Sequence, residues 1–288
     1  MSLTKLPVTA RDGSKSPLGQ LMKRAFFEAP PEKVAPRLLG KVLARRTQSG
    51  WLAGRIVEVE AYLGPHDKTA DRAAHSHRGP TPRISVLFGP AGHAYVYAIY
   101  GRYYCMNISC EPEGRAGSVL LRALEPVAGM EWMARNRGLS RLPRFSAAAT
   151  ATQRDGATAV QIRGEGMSPR SWSDAGSEAG WSHLRGLTCG PGRLCQALGI
   201  TRAEHNGLDL LDADSPLQVW DDAKRVRQVL VTRRIGIRHA AELPLRFALP
   251  GHTCVSGPKS LTGKCIFLRA QSVHEGKPVK SYIRTETR

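Results

Sequence analysis

The chain has 288 residues, of which 41% are hydrophobic and 23% charged, with 42 Lys and Arg against 24 Asp and Glu and a formal net charge of +18. Its apolar runs fall well short of the roughly 20 residues that a membrane-spanning helix needs, and its apolar content excludes a wholly disordered chain, so a soluble globular protein with no membrane partner is expected. So large a positive excess opposes compaction unless a polyanion screens it, which makes nucleic acid the leading partner, with acidic lipid or a merely basic surface as the alternatives.

Residues 1–18 carry Lys5, Arg11 and Lys15 but no apolar segment and no cleavage site of secretory type, and read as a disordered basic leader. Amphipathic helices are predicted over 19–27 and from Pro30 and Pro31 to about 40. Strands at 42–46 and 51–63 flank the polar turn Thr47, Gln48, Ser49, Gly50 and form a hairpin, followed by a polar loop over 64–82. Residues 93–107, aromatic and β-branched with Gly101 as the interruption, form a second hairpin, and a strand at 118–124 and a helix at 126–137 follow.

From 139 to 186 the composition shifts to Ser, Ala, Thr, Gly and Arg, as in FSAAATATQRDGATA, and this stretch reads as a flexible insertion. Order resumes at 187–200 with Pro191 in the first turn of a helix, then strands at 217–220, 228–237 and 245–247. Beyond Gly257 the chain, with Lys259, Lys264, Lys277 and Lys280, is read as a loose basic tail over 258–288. One domain over 19–257 is therefore expected. The six cysteines, Cys105, Cys110, Cys189, Cys195, Cys254 and Cys265, form no C-x-x-C pair and read as reduced thiols.

In the strand RIVEVEAYL, alternation puts Val57, Val59, Ala61 and Leu63 on one face and Glu58, Glu60 and Tyr62 on the other. Two readings fit: an edge strand with a solvated acidic face, or carboxylates held in a partly dry place, the environment of a general base. In HAYVYAIYGRYYCMN a three-residue turn at Tyr100, Gly101 and Arg102 puts Tyr95, Tyr97 and Asn107 on one face and Tyr100 at the tip. It is either a packing hairpin or one built to enter a base stack.

The segment LTCGPGR, preceding a helix, reads as a cap or as a phosphate site. Arg225, Arg227, Arg233, Arg234 and Arg238 form a basic ridge, solvated or touching phosphates. His75 and His77, with His66 and Asp67, do not make a convincing metal-ligand set, and neither metal nor cofactor is expected. A phosphate-binding loop of the G-x-x-x-x-G-K-[ST] kind, a dinucleotide fingerprint and a G-x-S-x-G elbow are all missing from the sequence.

The segments RIVEVEAYLGPHD, AAHSHRGPTPR, YVYAIYGRYYCMNIS, VLLRALEP, CGPGRLCQALGI and IGIRHAAELPLRF occur in the order seen in the alkyladenine (3-methyladenine) DNA glycosylase family, which the chain resembles over residues 26–256. The resemblance implies a single mixed α/β (α+β) domain around a curved antiparallel sheet, with a protruding β-hairpin that enters the minor groove. It implies Glu60 as the catalytic base for an attacking water, with Arg122 beside that water and the neighbouring phosphate. Tyr62, His75 and Tyr97 would wall the pocket, Asn107 would crowd the 2-amino group of guanine, and Tyr100 would fill the place of the flipped base.

Thr81, Gly192 and Arg193 fall where the family contacts the DNA backbone. Arg102 stands at a tip position that is apolar in some relatives, and Arg238 replaces a glycine. The implied protein is a monomer that acts on double-stranded DNA containing damaged purines and leaves an abasic site, located in the cytoplasm at the nucleoid or in a nucleus. The rival readings are a non-catalytic sensor of damaged or distorted DNA and a metal-dependent nuclease using His75, His77 and Asp67.

Overall fold

The computed structural model describes residues 18–66, 71–139, 186–257 and 263–267. Apart from their end residues, the expected leader at 1–18 and insertion at 139–186 lie outside the described residues. The described chain runs β1 (Gln20–Leu21), α1 (Pro31–Leu38), β2 (Val42–Thr47), β3 (Gly50–Tyr62), β4 (Ala94–Ile99), β5 (Tyr103–Cys110), β6 (Gly117–Ala128) and α2 (Met130–Asn136). It resumes with α3 (Pro191–Leu198), α4 (Arg202–His205), β7 (Leu217–Asp221), β8 (Gln228–Thr232), β9 (Arg246–Ala248) and β10 (Lys264–Phe267).

Among the described residues all the strand pairs are antiparallel and join in one 10-stranded sheet, in the order β1-β7-β2-β3-β6-β5-β4, with β9, β8 and β10 branching from β3. The strand β3 lies at the centre because both its edges are paired along most of its length. On one edge it pairs β2 through Arg55 and then β9 from Glu58 to Glu60, while β6 follows the other edge from Ala53 to Tyr62. Register shifts against β6 at Ala53/Gly54, Ile56/Glu58 and Glu58/Val59 mark bulges, which bend and twist a strand, so the sheet curves where its partner changes. This bend lies beside the two glutamates.

Helices cover the sheet through i, i+4 apolar pairs: Val34 and Leu38 of α1, and Leu194 and Leu198 of α3, all fully buried in the main core with Met133 of α2. Each such side chain stabilises the fold by about 1.5–3 kcal/mol relative to exposure. A mixed α/β single domain around an open antiparallel sheet is thus the observed architecture.

Several boundaries differ from the sequence reading. Residues 19–27 form the two-residue strand β1, pairing β7, and a 3-10 turn at Arg24–Phe26, because tertiary pairing outweighs the helical spacing of the apolar residues there. The helix expected from 126 starts at Met130, since β6 runs through Pro126 to Ala128 and the chain turns at Gly129 with φ 73°. A Cβ on Gly129 would lie 2.4 Å from Leu52 Cδ2 and 2.7 Å from the Trp51 carbonyl oxygen, so this turn requires glycine. The strand β8 stops at Thr232, short of 237, and Lys264–Phe267 is not loose but pairs with β8 as β10.

Candidate active site

The bend in β3 brings four charged side chains together in the interior. Glu58 and Glu60 each have 0% relative exposure, and Arg122 and Arg246 have 7% and 1%. Burying two carboxylates is tolerable only if the charges are matched and the oxygens satisfied, and two arginines match them here. Glu58 Oε1 accepts from Arg122 Nε at 2.8 Å, Arg246 Nε at 2.7 Å and Ser256 Oγ at 2.7 Å, while its Oε2 accepts from the Ser256 amide at 2.6 Å.

Glu60 is held differently. Its Oε1 accepts from the Ile235 amide at 2.8 Å and faces Arg122 Nη1 at 3.1 Å, and its Oε2 accepts from the Tyr62 hydroxyl at 3.0 Å. A carboxylate oxygen has two lone pairs, so Oε2 keeps acceptor capacity beyond that bond. Bulk water does not touch the carboxylate in the free protein; half-buried Tyr62 and the backbone of Ile235 lie over it. Burial alone would lower the Arg122 pKa, but Glu60 and Glu58 more than reverse this, so its guanidinium stays charged. Burial, then the neighbouring Glu60, pushes the Tyr62 phenol up, with Arg234 pulling partly the other way, so Tyr62 remains a donor.

An aromatic wall adjoins this cluster. The cross-strand pairs Tyr95 with Asn107 and Tyr97 with Cys105 put these four on one face of the β4–β5 hairpin. Tyr95 and Tyr97 are stacked with centroids 5.3 Å apart, and the His75 ring packs edge-on against Tyr97 at 4.6 Å with its Nδ1 3.0 Å from the Tyr95 hydroxyl. His75 keeps an exposed edge; crowding by the protein, then the charge of Arg83, lowers its pKa and favours the neutral ring.

Burial raises the Tyr97 phenol and pushes the thiol of its cross-strand neighbour Cys105 up to about 11. Asn107 donates from Nδ2 to Ser118 Oγ at 2.8 Å, while its buried Oδ1 has no hydrogen-bond partner among the described residues. A buried amide oxygen without a partner is costly unless something else can donate to it.

The tip of the same hairpin is the three-residue turn Tyr100, Gly101 and Arg102, closed by the pair Ile99 with Tyr103. Tyr100 has φ 49° and is 90% exposed, while Arg102 lies over the Tyr103 ring at 5.5 Å from its centroid. A large aromatic held out in water on a left-handed turn gains nothing from packing. Gly192 sits against the tip end of the hairpin, 3.5 Å from Tyr103 to a Cβ built on it, and exposed Arg193 follows it at the start of α3, where no side chain caps the helix. Thr81 is exposed at the start of the 3-10 turn Pro82–Phe88 and makes no capping bond. Thr81 and Arg193 do not join the buried cluster.

Three placements differ from the sequence reading or were missed by it. Arg225, Arg227, Arg233 and Arg238 are exposed, as a basic ridge requires, but Arg234 turns inward and forms a bidentate pair with Asp71 at 2.7 Å per bond. Arg246 and Ser256, which complete the shell around Glu58, were not singled out; the signal was an arginine between apolar neighbours in the strand residues 245–247. His66 is exposed, Asp67 lies outside the described residues, and His75 faces the tyrosines; among the described residues no group of three or more His, Cys, Asp or Glu is placed to hold a metal ion.

Comparison with known proteins matches residues 25–253 to the methylpurine-DNA glycosylase (MPG) family. A protein of Koribacter versatilis provisionally named a 3-methyladenine DNA glycosylase is 43% identical over 249 residues, 86% of this chain and 99% of that protein. Similarly named proteins of Rhodopseudomonas palustris and Methanoculleus marisnigri are 39% and 41% identical, covering 90% and 81% of this chain and 98% and 96% of theirs. With the family match spanning most of the sequence and these relatives aligned along nearly their whole length, the chain belongs to the methylpurine-DNA glycosylase family, the DNA glycosylases of base-excision repair.

Proposed function

We propose that this glycosylase turns an alkylated or deaminated purine out of duplex DNA and hydrolyses its glycosidic bond with a water activated by Glu60. The observation that carries this reading is the Glu60 carboxylate, oriented by Tyr62, Ile235 and Arg122 directly beside a wall of aromatic rings. The flipped purine stacks on Tyr62, Tyr97 and His75, and Tyr100 occupies the gap it leaves, which offsets part of the few kcal/mol needed to unstack a base. The attacking water reaches Oε2 when the exposed Ile235 side of the site gives way to the entering nucleotide.

In the reaction the water oxygen bonds to the anomeric carbon, its proton passes to Glu60, and the glycosidic electron pair leaves with the base. Arg122, charged and within reach of Glu60, holds the carboxylate and the adjoining phosphate in register. Asn107 crowds the site against the 2-amino group of guanine, which favours adenine-type and hypoxanthine bases. Thr81, Arg102, Gly192 and Arg193 hold the DNA backbone. The protein acts as a monomer without metal or cofactor, wherever its DNA lies.

The test is to incubate the protein with duplex carrying a single hypoxanthine or 3-methyladenine, following free base and strand breaks with and without a chelator. Free base is expected with the strand intact until alkali is added, and chelation should change nothing. Binding without base release, or strand cleavage that the chelator abolishes, would replace this reading by the sensor or the nuclease.

A further inference from the structure

The ring of Tyr62 has two faces, and one is already taken. The Arg234 guanidinium lies 4.6 Å from the Tyr62 ring centroid, and Asp71 grips the same guanidinium through both carboxylate oxygens at 2.7 Å each. Both side chains have 0% exposure. Further bonds fix the pair: Asp71 accepts from the amides of Leu63 at 3.0 Å and Ala73 at 3.2 Å, and Arg234 donates to the carbonyls of Ala61 at 3.0 Å and Ala240 at 3.2 Å, its buried Nε alone having no hydrogen-bond partner among the described residues. The next residue, Ile235, gives its amide to Glu60, so one segment after β8 supports both the pocket ring and the carboxylate.

A ring attracts a cation through the negative charge of its π-face, and a cation behind it reduces what the front face offers. An unopposed Arg234 would therefore disfavour a positively charged methylated base on the other face. The paired Asp71 removes that penalty while leaving the guanidinium as a flat support. A hydrophobic residue could support the ring without any charge, so this ion pair needs another explanation than packing.

We propose that the Asp71–Arg234 pair is a charge-balanced backing for Tyr62 that sets how well the pocket accepts a cationic purine relative to a neutral one of the same shape. This rests on the reading that the flipped base stacks on Tyr62.

The test uses two duplexes: one with 2′-fluoro-7-methyldeoxyadenosine, which resists hydrolysis, at a pH where the base keeps its charge, and one with its neutral 7-deaza-7-methyl isostere, both lacking the 2-amino group that Asn107 would crowd. The readout is the ratio of the two dissociation constants. Asp71→Asn leaves the arginine unopposed and should weaken binding of the cationic lesion relative to the neutral one by on the order of tenfold, a single unscreened charge in a partly dry site. Arg234→Gln leaves the carboxylate and should shift the ratio the opposite way.

The double variant Asp71→Asn/Arg234→Gln should return it to the wild-type value. Loss of packing alone moves both constants together and cannot produce shifts of opposite sign. If one single variant does not fold, the other read against the double decides the question, and an unchanged ratio there overturns the proposal. If wild-type protein binds neither lesion duplex more tightly than undamaged DNA, the stacking reading itself has failed, and the proposal fails with it.

Discussion

Glu58 and Glu60 lie two apart on one strand and are buried alike, yet their neighbours give them different roles. Glu58 receives four hydrogen bonds, from Arg122, Arg246 and Ser256, whereas Glu60 receives two, from Ile235 and Tyr62, beside its contact with Arg122. Glu58 thus acts through Arg122, and Arg246 is what allows two carboxylates to share this space. Replacing Arg246 by Met would leave Glu58 short of a counter-charge at a fully buried site, and urea unfolding should show a loss of about 3–5 kcal/mol. An unchanged unfolding midpoint would mean that the cluster is not held by charge balance.

At the scale of elements, the β4–β5 hairpin is the part whose sequence and structure agree most closely. Alternating tyrosines and one glycine gave both its register and its three-residue tip, because period-two patterning and turn chemistry are local signals. Since Tyr100 is 90% exposed, Tyr100→Ala should leave the melting temperature nearly unchanged while weakening binding to lesion duplex by about tenfold, the worth of one aromatic–base stack. A large fall in melting temperature would reveal instead a packing role.

What could not be read locally was decided by distant partners. The strand β1 exists because β7 lies beside it, and β6 extends past Pro126 because β3 continues opposite. Arg234 read as one of a run of exposed arginines, although Asp71, 163 residues away, draws it inside. The site followed the same division. Glu60, Tyr62, Tyr97 and Asn107 could be put on defined strand faces, whereas Arg246 gave only the weak signal of an arginine between apolar neighbours, and Ser256 and Asp71 came from segments with no pattern of their own.

For the whole molecule, acid stability depends on charges that bind the sheet far from the pocket. Arg55 holds Asp222 through bonds of 3.0 and 2.7 Å and lies 3.6 Å from Glu125. Burial would raise the Asp222 carboxyl, but the hydrogen bonds and charge of Arg55 carry it below the usual range; Glu125 is lowered likewise, by His252 and Arg55 against its own burial. A carboxylate lowered by folding stabilises the protein fully above its unfolded pKa and loses that contribution as pH falls through the folded one. Denaturant midpoints of wild type and Asp222→Asn should therefore differ at neutral pH and converge below about pH 4. A difference that persists in acid would mean that the ion pair is not its source.

The claim on which the mechanism stands concerns the Glu60 carboxylate, and single-turnover excision by Glu60→Gln, measured together with binding to the same hypoxanthine duplex, tests it most directly. Glutamine keeps the shape and can still meet Tyr62 but cannot take a proton from water. Binding within about threefold of wild type with excision slower by about 10²–10⁴-fold is the expected result. Excision at the wild-type rate would contradict the account, because the base would then have to be another residue.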